Sequence, residues 1–98
     1  MGPRHFSTSQ DGHGAYCLKG ELSINDLEEL RDFLEECRQG RQEIAISLAE
    51  VRFIDTAALQ LLIAFKKGVE PDVKLRISAV SAEVDDILSL CGLKSALL

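Results

Sequence analysis

The sequence predicts an α/β fold in one domain spanning residues 1–98, with a mixed, mostly parallel sheet of about four to five strands and about three to four helices packed on it. Three observations carry this. Strand-type runs alternate with helix-type runs along most of the chain, the order expected of parallel strands joined by helical crossovers. An antiparallel strand pair at the N-terminus makes the sheet mixed. A length of 98 residues leaves little room for a second core.

Residues 1–14 are polar and weakly periodic, and are expected to form a partly flexible edge strand and turn, with Phe6-Ser7-Thr8 extended and Asp11-Gly12 as the hairpin turn. Ala15 to Leu18 read as the returning strand, closed by Gly20. A helix is expected from about Ser23 to Arg38. Ser23 is its cap, Asp26 holds the capping-box position, and Leu22 with Leu27 fits a hydrophobic staple. Leu27, Leu30, Leu34 and Cys37 fall on one helical face, Glu28, Glu35 and Arg38 face water, and Gly40 is the expected C-cap.

Ile44, Ile46 and Leu48 alternate with small Ala45 and Ser47, which suits a strand covered on both faces, and Val51, Phe53 and Ile54 are expected as further apolar anchors before Asp55. From Thr56 to Lys67 the chain reads as a helix apolar nearly all round, hence largely buried. Lys66 and Lys67 complement its dipole and Gly68 ends it. Val73, Leu75, Ile77 and Ala79 alternate with Lys74, Arg76 and Ser78 as a strand with one wet face. Ser81 caps a last helix with Val84, Ile87, Leu88 and Cys91 at the core spacing, closed by Gly92, and the apolar tail Leu93–Leu98 is expected to fold back on the body.

Composition excludes several functions. A net charge of −5 opposes sequence-independent nucleic-acid binding, which needs surplus cations to neutralise phosphates. The longest apolar run, Ala57–Phe65, is too short to insert in a membrane, and the N-terminus has no signal-peptide core, so the default location is cytoplasmic. Cys17, Cys37 and Cys91 lack C-x-x-C pairing and read as reduced core thiols. His5 and His13 lack metal-ligand spacing and read as solvent-exposed. With no G-x-S-x-G, Walker-type or G-x-G-x-x-G motif, the chain is expected to be neither an enzyme nor a carrier of a cofactor or metal.

Asp55-Thr56 is the remaining candidate site. It falls between a strand end and a helix start, at the sheet edge where open α/β folds engage ligands and partners. Either Thr56 caps the helix, or Asp55 caps it and Thr56 is the first helical residue.

The run Val51-Arg52-Phe53-Ile54-Asp55-Thr56-Ala57-Ala58-Leu59-Gln60-Leu61-Leu62 resembles the signature of STAS domains, the family of bacterial anti-sigma factor antagonists. Lys19-Gly20-Glu21-Leu22 is similar to the family's G-E-L turn, and Ile87-Leu88-Ser89-Leu90-Cys91-Gly92-Leu93 to its closing segment, so the resemblance covers about Ala15 to Leu98. It implies a protein-interaction module in which Thr56 is the phospho-acceptor of a partner serine/threonine kinase. The implied partner-binding surface is Asp55, Thr56, Ala57, Ala58, Glu21 and Ser23, and the implied partner is an anti-sigma factor or related kinase. Homodimerisation stays open. Thr56 and Ala58 also resemble the STAS subunit of phospholipid-transport ABC systems, which implies the alternative of docking on a transporter ATPase subunit. A third reading, a nucleotide or lipid site at the same helix N-terminus, has only generic support.

Overall fold

The computed structural model describes residues 5–10, 15–38, 43–68 and 74–98. The elements run β1 (Phe6–Gln10), β2 (Tyr16–Leu22), a 3₁₀ turn (Ile24–Asp26), α1 (Leu27–Arg38), β3 (Glu43–Ile54), α2 (Thr56–Gly68), β4 (Lys74–Val80), α3 (Ala82–Cys91) and α4 (Lys94–Leu97). The expected Asp11-Gly12 turn, Gly40 cap, His13 and Val73 lie outside the described residues.

The sheet order is β1-β2-β3-β4. β1 and β2 are antiparallel, while β2/β3 and β3/β4 are parallel, the mixed sheet the sequence predicts. One core lies on one sheet face. Leu18, Leu22, Ile44, Ile46, Leu48 and Leu75 meet Leu30, Leu34, Leu59, Leu62, Val84 and Leu88 from the helices. Phe33, which the helical stripe read from sequence omits, is also buried and stacks edge-on against Tyr16 at 5.4 Å. At the far end Leu97 is fully buried and its carbonyl accepts from Lys66 Nζ at 2.6 Å, so the tail does fold back.

The expectation that β3 is covered on both faces does not hold. Ala45 and Ser47 point away from the core and are only half-buried, and they share that open face with Cys17, Lys19, Arg76 and Ser78. Small side chains fit a face under a second layer as well as a thinly shielded one, so alternation alone does not separate the two. Of the three expected core thiols only Cys37 is buried; Cys91 is exposed, and half-buried Cys17 lies on this open face, where it donates to the Glu50 carboxylate at 3.3 Å. Burial first, then this carboxylate, pushes the Cys17 thiol above the usual range. Less thiolate means slower attack, so iodoacetamide at pH 8 is expected to label Cys17 more slowly than an unstructured cysteine, and Glu50→Gln to speed it. Peptide-resolved mass spectrometry reads this directly; equal rates in both proteins contradict it.

Ser81 joins α3 to the sheet. Its Oγ accepts from Val84 N–H at 3.1 Å and donates to the Val51 carbonyl at 2.6 Å, while its own N–H donates to the Leu48 carbonyl. Ser81→Ala is expected to cost about 1–2 kcal/mol, seen as a lower urea midpoint. Gly92 closes α3 in the left-handed region at φ 68°, its N–H bonding to the end of the helix, as its position in sequence predicts.

Candidate functional site

Because β2 and β3 are parallel neighbours with Leu22 opposite Ile54, both chains leave the sheet at the same edge, side by side. From β2 the chain passes through Ser23 into the 3₁₀ turn; from β3 it passes through Asp55 into α2. The Asp55 N–H donates to the Leu22 carbonyl at 3.1 Å and binds the two exits together.

The Asp55 carboxylate completes the join. Its Oδ1 accepts from Ala58 N–H at 2.9 Å and its Oδ2 from Ile24 N–H at 2.8 Å. The Asp55 carbonyl accepts the first intrahelical bond, from Leu59 N–H. Asp55 is therefore the N-cap, which settles the choice that the sequence leaves open, and one side chain serves two elements. Thr56 is the first helical residue, exposed, with its hydroxyl free of capping duty.

The other candidate residues fall as follows. Glu21 is exposed at the end of β2, with its carboxylate 3.9 Å from Arg52. Ser23 is half-buried and its Oγ accepts from Asn25 N–H at 3.3 Å, capping the 3₁₀ turn. Ala57 is half-buried beside Thr56. Ala58 is fully buried, so its methyl belongs to the core and only its N–H serves the turn. Glu21, Ser23, Asp55, Thr56 and Ala57 are thus brought to one sheet edge, with Ala58 beneath them.

Two apolar residues at this edge stand exposed: Ile24, which the sequence reading does not single out, and Phe53, which does not anchor the core as Val51 and Ile54 do. Ile24 is 65% exposed and Phe53 is 46% exposed. Ile24 lies three residues before Leu27 and would extend the helical stripe, but the tighter 3₁₀ turn carries it off that face. An apolar residue inside a capping turn is the signal that could have marked it. A shallow groove of about 150 Å³ lies between α1 and α2, lined by Leu27, Glu28, Arg31 and Leu61, one turn beyond Ala57.

The expected capping box does not form. Asp26 N–H donates to the Ser23 carbonyl, but the Asp26 carboxylate, buried at 5% exposure, turns to His5. Its Oδ2 accepts from His5 N–H at 3.1 Å and pairs with His5 Nδ1 at 3.0 Å. His5 is solvent-exposed as expected, yet its ring is tied down on one side. The described residues hold no group of three or more side chains suited to a metal ion, and no described helix is long and apolar enough to cross a membrane.

A family model described as the STAS domain matches residues 7–97. The chain is 30% identical over 90 residues to the anti-sigma-B factor antagonist of Staphylococcus aureus, covering 90% of this chain and 83% of that protein. It is 31% identical over 77 residues to the anti-sigma-B factor antagonist of Staphylococcus epidermidis, covering 76% and 71%. Among solved structures, an anti-sigma factor antagonist from Mycobacterium paratuberculosis superposes with a TM-score of 0.75 at 15% identity, over 94% of this chain and 80% of that one. The anti-sigma factor antagonist SpoIIAA in its unphosphorylated form gives 0.68 at 17% identity, over 95% and 85%. The two structures share the fold, and the family match spans nearly the whole sequence: the chain belongs to the STAS domain family.

Proposed function

We propose that this chain is a non-enzymatic protein-interaction module of bacterial signalling, an anti-sigma factor antagonist switched by phosphorylation of Thr56 by a partner serine/threonine kinase. The reading treats residues 1–98 as one STAS domain acting in the cytoplasm. The relatives' description as anti-sigma-B factor antagonists supports the role. The observation that carries the switch is the division of labour at the turn: Asp55 makes the cap, and Thr56 stands exposed as the first residue of α2.

A phosphate on Thr56 adds roughly −1.5 to −2 charges. The helix N-terminus tolerates that charge, so the fold is retained. The surface is what changes. New charge beside Asp55, flanked by exposed Ile24 and Phe53, repels an acidic contact and is costly to desolvate under an apolar one. The phosphorylated chain then leaves its partner, and the unmodified chain binds it.

Incubation with the candidate kinase and ATP is expected to place one phosphate on Thr56, located by tandem mass spectrometry, and Thr56→Ala is expected to abolish it. Modification at another residue, with Thr56 untouched, overturns the switch.

A further inference from the structure

We propose that His5 is a positioning residue for the docking turn: through Asp26 it holds Ser23–Asp26 in place for the partner. The inference rests on the docking role proposed for the Asp55–Thr56 edge. Ile24 and Ser23 reach that edge from a 3₁₀ turn of three residues, Ile24–Asp26, too short to hold its own shape. It is held from its two ends. At the front, Asp55 Oδ2 accepts from Ile24 N–H at 2.8 Å. At the back, the Asp26 carboxylate is buried against the chain entering β1.

His5 supplies the back anchor with three bonds. Its N–H reaches Asp26 Oδ2 at 3.1 Å, its ring Nδ1 reaches the same oxygen at 3.0 Å, and its carbonyl accepts from Glu21 N–H at 3.0 Å. The ring nitrogen facing a carboxylate is the protonated one, so Nδ1–H donates. Two of the three use only the main chain of His5 and survive any side-chain change at that position. The ring bond alone depends on residue identity, and it closes on a carboxylate that is largely shielded from water, where a charge-assisted bond keeps its strength. Asp26 and Asp55 thus grip one short turn from opposite sides. The partner-facing residues of that turn are set in place before binding, which lowers the ordering cost of the complex.

The test uses the full chain and the kinase shown to modify Thr56. His5→Ala is expected to raise the KM for the chain roughly three- to tenfold at unchanged kcat, since the turn contributes to binding and not to phosphoryl transfer. Amide exchange at Ile24, Asn25 and Asp26 is expected to quicken while α3 keeps its protection. His5→Asn, whose amide nitrogen occupies the place of Nδ1, is expected to restore both, whereas His5→Gln is not. Unchanged KM and unchanged exchange in His5→Ala overturn the inference, as does equal rescue by Gln and Asn. If exchange quickens as expected but Thr56→Glu binds the kinase as tightly as wild type, the docking reading fails while the anchor stands as a stability element, and the positioning role is overturned with it.

Discussion

Asp55→Ala is expected to lower stability by about 2–4 kcal/mol and to abolish partner binding while leaving the hydroxyl of Thr56 in the chain. The energy has two sources. Loss of the α2 cap to Ala58 N–H costs about 0.5–2 kcal/mol. Loss of the charge-assisted acceptor for Ile24 N–H costs about 1.5–3 kcal/mol, reduced where water reaches the freed group. Asp55→Asn separates them. The amide oxygen can still cap Ala58, but its NH₂ then faces the Ile24 N–H, donor against donor. The Asn variant is therefore expected to recover the cap's share of stability and little of the binding. Urea denaturation and titration calorimetry with the partner read the two effects. An Ala variant within about 0.5 kcal/mol of wild type contradicts the double role of this carboxylate.

Gly20→Ala is expected to be about as damaging, through backbone rather than side chain. Gly20 has φ 108°, a conformation that side chains rarely adopt. A Cβ there would stand 2.6 Å from the His5 carbonyl oxygen and 3.4 Å from Phe6 Cα, both main-chain atoms that cannot swing aside. Relief requires β1 to move away from β2 at the point where Glu21 N–H donates to His5. Backbone strain of about 1–3 kcal/mol plus a similar overpacking cost gives a loss of roughly 2–6 kcal/mol. Gly92→Ala is the control. Its φ is 68° and nothing lies within 4 Å of an added Cβ, so about 1–2 kcal/mol is expected. Equal urea midpoints for the two variants would contradict the steric account of Gly20.

Much of this was legible in the residues. Periodicity located β3, α2, β4 and α3, and Ser81 and Gly92 cap α3 as their types suggest, but it did not foresee the register shift that turns Ala79 of β4 out beside Ser47, nor the exposure of Ala64 on α2. Expectation and structure part where a residue's partner is remote in sequence. Asp26 stands three residues after a capping serine, the spacing of a capping box, yet its carboxylate goes to His5, 21 residues away. No local pattern encodes that choice. At Asp55-Thr56 the dipeptide allowed either residue to cap; the parallel exit of β2 decided it, by presenting Ile24 N–H to a second carboxylate oxygen that threonine lacks. The exposure of Ile24, and of Phe53 where an apolar anchor is expected, is not encoded by composition, because it depends on how the chain winds as it leaves the strand.

The central claim is that a phosphate on Thr56 releases the partner by changing the surface and not the fold. It is tested most directly by measuring partner affinity for the chain in its unmodified and Thr56-phosphorylated forms, with amide exchange recorded on both. The expected result is a loss of roughly tenfold to a hundredfold in affinity, about 1.4–2.7 kcal/mol, with core protection in α2 and β3 unchanged. Equal affinity for the two forms, or tighter binding of the phosphorylated one, would contradict it.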